Sequence, residues 1–143
     1  MTVLSDFAAI QFSPDDGTFE RPYRVGDNPG NDTPNGPLQI PFNTGGMHHS
    51  PALLTLMVRG ITVTDGARVA IRTTNGEIDI GRLLPVRAED VDVWRHEQFI
   101  IPTNVLSGSN SMANTLVIGR AGPQGSRDDF EVRDIVCFFH QST

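Results

Sequence analysis

Apolar residues in this chain come in short runs, and each run is closed by Gly, Pro, Asn or Asp. Windows with apolar residues at i, i+3, i+4 and i+7 are scarce, so amphipathic helices are not the building unit. Short strands separated by turn chemistry specify a sandwich or a barrel. The 14 Gly and 10 Pro reinforce this, because both residues disfavour helix interiors. At 143 residues the chain suits one domain spanning 1–143, with an irregular Pro/Gly/Asn-rich loop at 26–50.

The expected strands follow from local patterning. Residues 6–12 form the first, ended by the turn Pro14-Asp15-Asp16-Gly17. Residues 18–25 alternate, and Pro22 marks them as an edge or bulged strand. Residues 38–42 make a short strand framed by prolines. The near-continuous run ALLTLMV within 52–59 predicts a strand that is central or buried on both faces, with 61–63 extending it past a bulge at Gly60. Residues 68–80 read as a hairpin, with Asn75-Gly76 in a two-residue type I′ turn and with Ile78 and Ile80 inward. Ala88-Glu89-Asp90 is either one helical turn or a loop. Strands at 97–101 and 115–120 follow. In the last strand, 129–140, the apolar phase changes near Asp134, which predicts a bulge. The sum is an all-β, single-domain antiparallel β-sandwich of about eight to nine strands.

A formal net charge of −6 opposes nucleic-acid binding and an anionic membrane surface as functions. All 11 basic residues are Arg, which fits a GC-rich coding sequence. The single cysteine, Cys137, lies in an apolar run and is expected to be buried and inert. No run approaches a membrane span, and the N-terminal residues lack signal-peptide features. The expectation is therefore a cytoplasmic protein, or one released without an N-terminal signal.

From Leu53 onward the order of motifs is specific. A buried strand leads to the hairpin VAIRTTNGEIDIG, then to Trp94 and Phe99-Ile100-Ile101-Pro102. Leu106-Ser107-Gly108-Ser109-Asn110 and Leu116-Val117-Ile118 come next, and the chain closes on Asp129-Phe130-Glu131-Val132-Arg133-Asp134-Ile135. Over residues 53–139 this resembles the galactose-binding-domain-like jelly rolls of many carbohydrate-binding modules and glycosidase accessory domains. The resemblance implies a jelly-roll fold and a binding rather than a catalytic role. Relatives of this kind often carry structural calcium near the first strands, but no calcium motif here matches residue by residue.

Three groups of residues carry candidate chemistry. Asp27, Asn31 and Asp32, with Asn28, Thr33 and Asn35, offer the oxygen ligands that calcium prefers, and a polar ligand such as a sugar is a further reading. The plain alternative is that they are turn formers. His48 and His49 are adjacent, so on an extended segment they diverge, and a zinc site would need more ligands than His96 and His140 readily supply. Trp94-Arg95-His96-Glu97 combines an indole, on which a sugar's C–H face can stack, with groups that bond hydroxyls. Its plain alternative is a Trp that caps the core beside solvated charges. Asp128-Asp129 reads as a loop-to-strand junction, since adjacent strand residues diverge.

No motif for a hydrolase, a metalloprotease or a phosphate loop is present. The expected function is a non-catalytic binding module, first of all carbohydrate-binding and lectin-like. The alternative is a structural or assembly subunit of a phage particle, secretion apparatus or homo-oligomeric shell, with another protein as partner. A cupin-like enzyme using His48, His49 and a carboxylate ranks third.

Overall fold

In the computed structural model, described for residues 3–11, 22–27, 31–32, 36–123 and 127–142, the chain forms two antiparallel sheets. The strands are β1 (Val3–Gln11), β2 (Tyr23–Val25), β3 (Leu38–Phe42), β4 (Ala52–Arg59), β5 (Ala67–Thr73), β6 (Gly76–Leu83), β7 (Arg95–Ile101), β8 (Asn114–Ile118) and β9 (Phe130–Ser142). A single 3-10 turn, Ala88–Asp90, settles the ambiguity in that stretch. Much of the expected strand at 18–25, and the turn before it, lies outside the described residues.

Pairing is nested. β5 pairs β6, β4 pairs β7, β3 pairs β8, and β1 pairs β9. This is one long hairpin rolled upon itself, the jelly-roll arrangement, and it distributes alternate strands to two sheets. One sheet runs β1-β9-β4-β7, with β2 added on the β1 side of β9; the other runs β3-β8-β5-β6. β1 and β2 thus share one edge, β1 along residues 135–142 of β9 and β2 along residues 130–132.

The core lies between the sheets. Leu54, Leu56 and Val58 from β4, Val69 and Ile71 from β5, Leu116 and Ile118 from β8, and Phe130, Val132, Ile135 and Cys137 from β9 are fully or almost fully buried. Their spacing in each strand is the period of two that places one face inward. The β9 phase change is a bulge. Asp134 adopts φ +51°, and β4 jumps from pairing Thr55 with Val136 to pairing Met57 with Arg133. The extra residue lets Val132 and Ile135 both point inward.

Three local expectations are corrected. The tight turn is Thr74-Asn75, with Thr73 opposite Gly76 and positive φ at Gly76 rather than at Asn75. The Asn75 amide donates to Thr73 Oγ1 over 3.2 Å, which closes the turn one residue early. Ile78 faces the core side opposite Ile71, but it is about half exposed because β6 is an edge strand. Residues 61–63 are not a strand; their backbone is held by Asp128 instead.

Candidate functional site

The outer faces of the two sheets differ in chemistry. On the four-stranded sheet, Arg68 pairs with Glu77 and Asp79, and Arg72 with Glu77 and Gln39. Ala70 and Val117 lie among these groups and are buried, so that face is closed. On the five-stranded sheet, antiparallel partners share a face, and the register lines up Phe7, Phe138, Leu53 and Ile100 across β1, β9, β4 and β7. Phe7, Phe138 and Ile100 are 61%, 45% and 65% exposed. At ~4.8 Å per strand this apolar row is roughly 14 Å long. The two phenylalanine rings sit 6.3 Å apart at a 45° tilt.

Polar groups flank the row. Ser5 and His140 are paired on one side of it. On the other lie Gln98 opposite Thr55, then His96 opposite Met57. A groove of about 330 Å³ follows the row, lined by Ser5, Pro51, Leu53, Ile100, Phe138 and His140 among others. The groove is open to solvent and lined by both apolar and polar side chains.

Strand alternation splits the constellation at residues 94–97. His96 points outward with Trp94, whereas Arg95 and Glu97 lie opposite the core residues Val58 and Leu56 and pair with each other at 3.0 Å. Arg95 also donates to the Leu84 carbonyl. Trp94 is packed beneath guanidinium groups, with Arg59 Cζ 4.6 Å and Arg133 Cζ 4.2 Å from its ring. Arg59 is itself held by two bonds to Glu131 Oε1, at 3.2 and 3.0 Å. Indole surface expected to be open to a sugar is therefore covered by cation–π contacts. Open apolar surface lies instead at Phe7 and Phe138.

His48 and His49 lie in the loop before β4. The His48 amide donates to the His140 carbonyl over 2.6 Å, and Ser50 Oγ is 3.3 Å from His140 Nδ1, so the loop borders the groove. Asp27, Asn31 and Asp32 do not converge. Asp27 Oδ1 accepts from Arg120 and Arg127 at 3.0 and 2.9 Å, Asn31 donates to Asp129, and Asp32 accepts from the Arg24 amide. With its carboxylates already committed to cations and backbone, this set does not fit a calcium ion. Among the described residues, no group of three or more His, Cys, Asp or Glu is placed to hold a metal. Asp128 and Asp129 diverge as expected, the first toward the Thr62 and Val63 amides and the second toward Asn31.

The apolar row did leave a trace in the sequence. Runs such as Phe138-Phe139, Leu53-Leu54 and Phe99-Ile100-Ile101 must place an apolar side chain on each face of a strand. Only one of those faces meets the core.

No protein-family model matches the chain, and no curated protein sequence does. Solved structures do match. A family 29 carbohydrate-binding module superimposes with a TM-score of 0.53 at 10% identity, over 94% of this chain and 89% of that one. The family 29 module CBM29_1 from Piromyces equi gives 0.52 at 8% identity, over 94% and 91%. A mutant of CBM29-2 complexed with cellulohexaose gives 0.51 at 10% identity, over 94% and 91%. At these identities the likeness is one of fold: this chain is a β-jelly-roll sandwich similar in fold to those modules. At 94% of the chain, the likeness extends beyond residues 53–139, where the sequence resemblance lies.

Proposed function

We propose that the chain binds a glycan on the outer face of its five-stranded sheet. The observation that carries this reading is the register row Phe7–Phe138–Leu53–Ile100, exposed at Phe7, Phe138 and Ile100 and bordered by Ser5, His140 and Gln98. Sugars present apolar C–H faces and peripheral hydroxyls, so they are recognised by apolar surface with a few hydrogen-bonding groups beside it. The fold supports the same reading, since solved structures with this sandwich are carbohydrate-binding modules. In this reading Phe7 and Phe138 stack the ligand, while Gln98, His96 and His140 orient it. Trp94 and its arginines brace the far part of the face.

Affinity electrophoresis in gels cast with soluble polysaccharides tests it, followed by calorimetry with cello- and manno-oligosaccharides. Retardation lost in Phe138→Ala supports the reading. Failure of every polysaccharide to retard the wild-type chain removes it.

One observation favours a second reading, an assembly subunit that docks a protein on this face. β4, β7 and β9 carry apolar residues on both faces, a pattern typical of strands covered on both sides. Light scattering on the purified chain separates the two: a stable oligomer that dissociates in Phe138→Asp supports docking, and a monomer opposes self-assembly.

A further inference from the structure

His140 is exposed, lines the groove of about 330 Å³, and has Ser5 of β1 as its cross-strand neighbour. The loop before β4 holds it from one side. Ser50 Oγ lies 3.3 Å from His140 Nδ1 and 3.4 Å from the His48 carbonyl oxygen. The His48 amide donates to the His140 carbonyl over 2.6 Å, which fixes the loop to the end of β9. These contacts constrain one proton. A serine hydroxyl carries a single O–H, and a carbonyl oxygen only accepts. Both Ser50 contacts are hydrogen bonds only when Ser50 donates to His48 and accepts from His140. That places the proton of the neutral imidazole on Nδ1, and the other ring nitrogen, Nε2, is then an acceptor.

We infer that His140 is a specificity-determining residue of this groove, which rests on the glycan reading of the sheet face. Held as the Nδ1–H tautomer by Ser50, it offers Nε2 as an acceptor and selects a sugar hydroxyl that donates to it. Asp6 also lines the groove, and its Oδ1 accepts the Phe7 amide over 2.8 Å. An ionised carboxylate only accepts, so Asp6 adds to the acceptor character of the lining. Such a lining takes neutral, hydroxyl-bearing glycans and disfavours uronates. Protonation reverses the sense of the His140 bond, because imidazolium has two donors and no acceptor. A ligand hydroxyl that donates to Nε2 then loses its partner. The other titratable groups around His140 are Asp6 from β1 and His48 and His49 from the loop before β4; β4 and β7 present the apolar Leu53 and Ile100.

Two measurements test this. Long-range 1H–15N correlation spectra of the 15N-labelled chain, taken without ligand at about pH 8, read the tautomer directly. His140 is expected with Nδ1 protonated and Nε2 bare, and Ser50→Ala is expected to lose that preference. Calorimetric titration with cellohexaose and mannohexaose follows at about pH 8 and about pH 5, the ends of the range in which histidines change charge. Wild-type affinity is expected to fall on the order of fivefold in acid, the loss of one hydrogen bond. His140→Gln keeps an acceptor oxygen that does not titrate, and it is expected to bind equally at both pH values. That variant retains His48, His49 and His96, so the lost pH dependence belongs to His140, and a merely structural histidine does not predict it. The inference is overturned if Nε2 carries the proton in the ligand-free chain, if wild-type affinity is the same at both pH values, or if His140→Gln keeps the wild-type pH dependence. A protonated Nε2 with either oligosaccharide bound leaves the sheet-face reading standing. A bare Nε2 with neither oligosaccharide bound sinks that reading, and the role of His140 in binding with it.

Discussion

Asn114 donates from Nδ2 to Thr44 Oγ1 over 2.9 Å, and both residues are fully buried. Asn114 Oδ1 also accepts the Ser107 amide at 2.7 Å, and Thr44 Oγ1 donates to the Ser107 carbonyl at 3.0 Å. This small polar knot ties the loop after β3 to the loop before β8. Such networks hold when every member is satisfied and fail together when one is removed.

Asn114→Ala leaves the Ser107 amide without its partner inside the protein. A loss of about 2–3 kcal/mol is expected, from desolvated groups left unpaired. Urea denaturation followed by tryptophan fluorescence measures it; a loss below roughly 0.5 kcal/mol contradicts the assigned role.

Phe138→Ala and Leu54→Ala separate binding from folding. Phe138 is 45% exposed and Leu54 is fully buried, though the two lie on adjacent strands. Leu54→Ala is expected to cost roughly 2–5 kcal/mol of stability. Phe138→Ala is expected to cost about 1 kcal/mol or less while reducing glycan affinity at least about tenfold. Calorimetric titration and thermal melts on both variants read the two effects apart.

Asp134 holds the β9 bulge with φ +51°. Asp and Asn tolerate this conformation, and β-branched residues do not. Asp134→Asn is therefore expected to stay close to wild type, whereas Asp134→Val loses about 1–2 kcal/mol. Equal stabilities in urea would show that the bulge relaxes freely.

Burial pushes the Cys137 thiol up from 9.0 to about 12. The unfolded chain ionises first, so the stability linked to this thiol is complete below pH 9 and is lost as pH rises from 9 toward 12. Cys137→Ala lacks that component. Its urea midpoint is expected to fall less steeply than that of wild type between about pH 8 and about pH 11. In the folded chain at neutral pH the thiol is expected to resist Ellman's reagent until denaturant is added.

The all-β class, the central position of β4 and the β9 bulge were legible in the amino-acid order, because they depend on local patterning. Phe130 and Val132 keep one phase and Ile135, Cys137 and Phe139 another, which requires an extra residue between them. Pro22 likewise announces the edge position of β2, since it cannot donate to a ladder.

Parity does not say which residues of distant strands become neighbours. Residues 94–97 are contiguous in sequence, yet pairing with β4 sends Arg95 and Glu97 to one face and His96 to the other. Phe7 and Phe138 stand at opposite ends of the chain, and only the nested pairing of β1 with β9 places them side by side. Asp27 meets Arg120 and Arg127 because the same rolling brings the β2–β3 and β8–β9 connections to one end of the sandwich. The sequence by itself determined the alternation within each strand, a matter of neighbours two residues apart. The tertiary structure decided the register between strands, which is set by burial of the whole core, and with it the membership of the candidate site on the five-stranded sheet.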